Sequence, residues 1–197
     1  MTSYRIPKRQ NAIAIEIKRS RFIAYAQHTK SSQDAKAFVK ELKDKYPDAR
    51  HHCYAFIAGS PSNSNLYGFS DDGEPNGTAG MPIFTHLKHS QLGEICIVVV
   101  RYFGGTKLGT GGLARAYSEA TKQVLESLLL TDYVEMKTLI IKLEFALEAE
   151  VRKAVSAIGG KIKEVKYTQE VQLTIETPKG QDLVLPYSVE LLPKSTI

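Results

Sequence analysis

The run Ile95 to Val100, ICIVVV, inside the segment Glu94 to Phe103, narrows the possible folds more than any other part of the chain. Its six consecutive apolar residues show neither the three-to-four spacing of a surface helix nor the alternation of a half-exposed strand. Such a run reads as a strand buried on both faces. It is also the longest uninterrupted apolar run and far too short to span a bilayer. Glycine-rich segments flank it, SDDGEPNGTAG before and RYFGGTKLGTGGLARAY after, and the stretch from Ser70 to Tyr117 carries nine of the fourteen glycines. Glycine at this density marks backbone that turns with positive φ or approaches something closely, which makes these two segments the place to look for function.

The rest of the chain can be placed around that strand. Ile13, Ile15 and Ile17 alternate against Ala12, Ala14 and Glu16, so residues 12–26 read as two strands of a hairpin broken near Lys18–Ser20. Ser31-Ser32 offers an N-cap for a helix whose apolar positions are Ala35, Phe38, Val39 and Leu42 and which Pro47 ends. Residues 52–58 form a strand, SPSNSN a surface loop, and residues 81–89 a short helix beginning near Pro82. From Gly111 the recurrence of Leu113, Tyr117, Ala120, Val124 and Leu128 predicts a helix to about Leu129. A boundary falls at Asp132-Tyr133, dividing the chain into domains of residues 1–131 and 132–197. The second reads strand (136–145), helix (148–158), Gly159-Gly160 turn, strand (161–168) and strand (170–177), the start of a ferredoxin-like unit. Pro178, Pro186 and Pro193 interrupt the segment that would supply its last helix, so a short or irregular element is expected there.

Charge follows the same division. Residues 1–130 hold 17 Lys+Arg against 11 Asp+Glu, and residues 131–197 hold 9 against 10, so a polyanionic partner should meet the first domain. Cys53 and Cys96 sit in apolar strands without CxxC spacing and read as reduced, buried thiols of a cytoplasmic protein. The N-terminus lacks an apolar stretch of the signal-peptide kind, and nothing addresses the chain to a membrane.

Several motifs of established chemistry are excluded by context. Gly109–Ala114, GTGGLA, is spelled like a dinucleotide fingerprint, but eight residues from Arg101 to Leu108 separate it from the buried run. Gly104 and Gly109 have the spacing of a P-loop, but Thr110 stands where that loop needs lysine. No GxSxG elbow or HExxH occurs, so no catalytic residue and no cofactor is assigned. What survives is a glycine-rich turn feeding a helix start, whose unpaired N–H groups favour anions, with Arg101, Lys107 and Arg115 around it. The alternative is a tight turn with Arg115 paired to Asp71 or Asp72. Asp71, Asp72 and Glu74 suit either a hard cation or internal salt bridges. With Arg101 and Arg115 near, the expectation is internal pairing and no tightly held metal, and convergence of Asp71, Glu74, Arg101 and Arg115 on one cleft. One of His51 and His52 should face that cleft too.

SDDGEPNGTAGMPI and IVVVRYFGGTKLGTGGLARAY, with KRSRFIA (18–24) and RHHCYAF (50–56), resemble the signature segments of the IMPACT/YigZ family. The resemblance implies an α+β protein of two domains: an N-terminal domain similar to domain IV of elongation factor G and a ferredoxin-like C-terminal domain similar to its domain V. It also implies a link to translation, since eukaryotic relatives oppose activation of the general-control kinase by competing for its ribosome-associated activator. The family brings no catalytic residues, so the matching positions mark a surface. The candidate binding set is Arg50, His51, Asp71, Asp72, Glu74, Thr78, Arg101, Tyr102, Lys107, Gly109, Gly111, Gly112 and Arg115. Its expected partner is RNA or a ribosomal component. The competing readings are a metal-dependent hydrolase of a phosphorylated small molecule and a protein-interaction module.

Overall fold

The structure, a computed structural model, describes residues 4–192. The chain divides into two compact units, Met1–Tyr133 and Val134–Ile197. Both mix helices with antiparallel sheet, and the described residues hold four α-helices.

In the first unit the order is β1 (Arg5–Pro7), β2 (Asn11–Ile17), β3 (Ser20–His28), α1 (Ser32–Lys45), β4 (His51–Ile57), β5 (Tyr67–Ser70), α2 (Gly80–His89), β6 (Ile95–Tyr102), α3 (Thr110–Glu126) and β7 (Leu130–Asp132). The main sheet runs β2-β3-β6-β4-β5, every pair antiparallel. The ICIVVV run is its central strand, buried from Ile95 to Arg101. Because side chains alternate along a strand, Cys96, Val98 and Val100 meet Phe38, Val39 and Leu42 of α1, while Ile97 and Val99 meet the layer of α2 and α3. The α3 stripe is the apolar series read from the sequence: Leu113, Tyr117, Ala120, Val124 and Leu128 are all buried.

Local chemistry sets the ends of these elements. Ser31 Oγ accepts the Asp34 N–H at 3.0 Å and caps α1, a contribution of about 1 kcal/mol. The β2–β3 hairpin turns through Lys18 (φ 48°) and Arg19 (φ 67°), a conformation that usually recruits Asn and Gly. Gly104 lies against this turn, and its N–H donates to Ser20 Oγ at 3.2 Å. A Cβ at Gly104 would fall 1.9 Å from the Arg19 carbonyl carbon, so only glycine permits the approach. The strained hairpin thereby anchors the loop from Phe103 to Gly109. Helix α3 stops at Glu126, short of Leu129, because Leu130–Asp132 leaves to pair with Arg5–Pro7, a ladder that local periodicity does not announce.

The second unit contains β8 (Met136–Leu143), a 3-10 turn at Phe145–Leu147, α4 (Glu148–Ala157), β9 (Lys161–Tyr167), β10 (Val171–Pro178) and β11 (Glu190–Leu192), with strand order β11-β8-β10-β9. Helix α4 joins β8 to β9, and β10 enters between them. Leu143, Ile141 and Leu139 face Val171, Leu173 and Ile175 in register, and Val151 and Val155 of α4 complete this core. Residues 179–189 form no helix. Leu183, Leu185 and Val189 pack on the core as irregular chain, in keeping with Pro178 and Pro186, while Pro193 lies outside the described residues. No described helix is long and apolar enough to cross a membrane.

Candidate functional site

The two glycine-rich loops and the end of β6 enclose a cleft of about 390 Å³ in the first unit. Arg50, His51, Glu74, Arg101, Lys107 and Gly109 of the candidate set line it, together with Pro75, Phe103, Leu108, Thr110 and Leu113. Strand register explains why. His51 of β4 lies directly opposite Arg101 of β6, both on the face that carries α2 and α3.

Arg101 and Glu74 form the floor. The Arg101 Nη1 donates to Glu74 Oε1 at 2.5 Å, and the Tyr117 hydroxyl donates to the same oxygen at 2.9 Å. Arg101 is 6% exposed, Glu74 8% and Tyr117 not at all. The guanidinium also sits 5.5 Å from the Phe22 ring centre and 5.7 Å from that of Phe103. Beneath them the Cys53 thiol donates to the Asp71 carbonyl at 2.9 Å and lies 3.3 Å from the Tyr117 hydroxyl. Burial pushes the Cys53 thiol far above its ordinary range, which removes it as a nucleophile. Burial likewise raises Tyr117 and keeps its hydroxyl a donor.

At the mouth, α3 begins at Gly109 (φ 71°) with no side chain capping it, and its first backbone bond is from Leu113 N–H to the Gly109 carbonyl. The amides of Thr110, Gly111 and Gly112 are therefore left to solvent or a ligand, at the positive end of a 17-residue helix. Arg50 and Lys107 are exposed and have no ion-pair partner among the described residues. The His51 Nδ1–H donates to the Asp72 carbonyl at 2.9 Å, which leaves Nε2 for the cleft.

The remaining candidates lie elsewhere, so the expected convergence of Asp71, Glu74, Arg101 and Arg115 reduces to Glu74 with Arg101. The Asp71 carboxylate turns into its own loop and accepts the N–H groups of Gly77 (2.9 Å), Ala79 (3.0 Å) and Gly80 (2.8 Å), capping α2 from a distance. Burial acts to raise its pKa, but these donors outweigh burial and hold it below the ordinary carboxylate range. Asp72 accepts Lys43 Nζ at 2.7 Å and the His52 N–H at 2.7 Å, and these lower its pKa against burial. The Thr78 hydroxyl donates to the Pro75 carbonyl at 2.7 Å and supports the turn. Tyr102 follows Arg101 along the strand and so points to the α1 face, where it donates to Asp48 Oδ1 at 2.9 Å.

Arg115 is five residues into α3, roughly 140° round the helix from Thr110, and opens on a separate groove of about 640 Å³ with Gly112, Lys18, His86, Glu119 and Lys122. It pairs with neither Asp71 nor Asp72. Gly111 is exposed in the first turn of α3. Each acid of the Asp71–Glu74 knot is thus committed to internal donors, and no group of three or more His, Cys, Asp or Glu among the described residues is arranged to hold a metal ion. Phe103, 51% exposed, was not singled out from the sequence, although an aromatic residue placed between a buried strand and two glycines is a signal that would have found it.

Comparison with known proteins places this cleft in a wider group. The model of the Impact N-terminal domain matches residues 18–125, which include every residue lining the cleft. An "IMPACT family member" of Haemophilus influenzae is 50% identical over 144 residues, 73% of this chain and 69% of the relative. "IMPACT family member YigZ" of Escherichia coli is 40% identical over 191 residues, covering 97% and 93%. A crystal structure described as that of an hypothetical protein is 42% identical with a TM-score of 0.70, covering 90% of this chain and 86% of the other.

Proposed function

The chain belongs to the IMPACT family, and we propose that it is a cytoplasmic module of translational regulation that binds RNA or a ribosomal component through the cleft of its first unit. The observation that carries this reading is the grouping of Arg50, Arg101 and Lys107 around the uncapped start of α3, beside the exposed ring of Phe103. Cations and free helix amides attract phosphate, and an exposed ring offers a stacking surface to a base. The positive excess of residues 1–130 would bring the polyanion to this unit. The link to translation is what the resemblance to the IMPACT family implies. In this reading the first unit resembles domain IV of elongation factor G and the second, with its split βαβ order, is a ferredoxin-like unit similar to domain V.

The hydrolase alternative loses support, since both carboxylate oxygens of Asp71 and of Asp72 accept internal donors and Glu74 is ion-paired to Arg101. Sedimentation of the tagged protein with ribosomes, and titration of fluorescent single-stranded RNA at several salt concentrations, test the proposal. Log K should fall with log salt by roughly 0.7 per phosphate neutralised. Lys107→Ala should weaken binding and flatten that slope, whereas Arg115→Ala, in the other groove, should do so less. Absence of binding at low salt to both RNA and ribosomes would remove the reading.

A further inference from the structure

Arg101 is incompletely satisfied. A guanidinium carries five N–H donors, and buried donors in folded proteins almost always find acceptors. Among the described residues Arg101 makes one hydrogen bond, from Nη1 to Glu74, and its buried Nε has no partner. Glu74 Oε1 is already shared with Tyr117, and the Arg101 Nε makes no hydrogen bond to either Glu74 oxygen. The same arginine forms part of the wall of the cleft, with the free amides at the start of α3 alongside. Two independent features, a buried arginine that is short of acceptors and an uncapped helix start, therefore border the same cleft.

The charge and size of the space narrow what that acceptor is. Three cations, Arg50, Arg101 and Lys107, and one carboxylate, Glu74, line the cleft, a net charge of +2. That matches a phosphate monoester, which carries about two negative charges and three terminal oxygens, better than an internal diester with one charge and two such oxygens. The donors also come from three directions: the Arg101 side chain, the α3 amides, and the exposed Arg50 and Lys107. The cleft volume of about 390 Å³ is at the small end of the range for ligand pockets and suits one nucleotide. Phe103 exposes half its surface at the same site, where a base stacks.

We propose that the cleft binds a single nucleotide by its terminal phosphate monoester, with the phosphate between Arg101, the α3 amides and the two exposed cations, and the base on Phe103. This rests on the reading of the cleft as an RNA-facing surface and makes it specific: the ligand is the phosphorylated end of an RNA strand or a free nucleoside monophosphate.

The test uses the full chain and backbone amide NMR, titrating adenosine, AMP, inorganic phosphate, and a short oligouridine with a 5′-phosphate, a 3′-phosphate or neither. AMP and phosphate should shift the amides of Thr110, Gly111 and Gly112, and AMP should also shift Phe103. Adenosine at equal concentration should leave all four unmoved. A phosphorylated strand should bind about tenfold or more tightly than the unphosphorylated one, the worth of one good charge-assisted contact. AMP tighter than either strand identifies a free nucleotide, and the reverse identifies an RNA end. Lys107→Ala and Phe103→Ala should each weaken AMP binding several-fold, Lys107→Ala without lowering the melting temperature and Phe103→Ala with only the small fall expected from losing its contact with Arg101. Equal affinity for phosphorylated and unphosphorylated strands, or shifts confined to the Arg115 groove, overturns the inference and leaves general RNA binding standing. Binding of AMP with no association with RNA or ribosomes upholds it and removes the RNA reading.

Discussion

Replacing Glu74 by alanine isolates the interaction on which the cleft is built. The change leaves the Arg101 guanidinium, 6% exposed, without its counter-charge and the Tyr117 hydroxyl, fully buried, without its acceptor. Removing one partner of a buried ion pair costs roughly 3–5 kcal/mol, and an orphaned hydroxyl roughly 1–3, the two overlapping because both end on the same carboxylate oxygen. About 4 kcal/mol is expected in sum, a fall in melting temperature on the order of 15 °C for a unit of this size. Glu74→Gln keeps an acceptor oxygen and should cost about half as much. Replacing both charges, Glu74→Leu with Arg101→Met, should recover the ion-pair share, since apolar substitution of a buried pair is often neutral, and leave only the roughly 1–3 kcal/mol of the orphaned Tyr117 hydroxyl. The chain has no tryptophan, so unfolding in urea is followed by circular dichroism and tyrosine fluorescence. Hydrogen exchange of the β6 amides assigns the transition to the first unit. A Glu74→Ala protein within about 1 kcal/mol of wild type would mean that Arg101 reaches water after all, and the case for an unsatisfied arginine in the cleft would fall with it.

Asp71→Ala should cost about 1–2 kcal/mol by uncapping α2, measured as a shift in denaturation midpoint. The carboxyls of Asp71 and Asp72 are held below their unfolded values, so their contribution is full above about pH 4 and is lost as pH falls through their lower folded values; a pH series of melts should steepen there and flatten in Asp71→Ala. Burial lowers the pKa of His52, so its neutral form stabilises the fold above about pH 6.5 and that share is lost on acidification; a His52→Gln protein should show a smaller loss between about pH 7 and 5. Gly104→Ala should destabilise the protein by about 1–3 kcal/mol through the clash with the Arg19 carbonyl, and amide shifts from Phe103 to Gly109 should report displacement of the loop.

Much of the architecture was legible because it is local. ICIVVV as a central strand, the hairpin through Lys18–Arg19, the Ser31 cap and the α3 stripe follow from side-chain period, capping chemistry and apolar runs within a few residues of one another. The βαββ order after residue 136 follows from the same signals. Tertiary structure decided what depends on contacts between distant segments. The β1–β7 ladder joins Arg5–Pro7 to Leu130–Asp132 and shortens α3. The acid knot shows the same limit most clearly: Asp71, Asp72 and Glu74 are alike in sequence, yet one caps a helix, one meets Lys43, and one meets Arg101. Arg101 and Arg115 were equal candidates for the cleft. They parted because β6 pairing put Arg101 opposite His51, while the helical repeat carried Arg115 round to another groove. Composition and spacing determine which residue types a loop offers, but the partner of each charge is settled only when packing fixes the direction of its side chain.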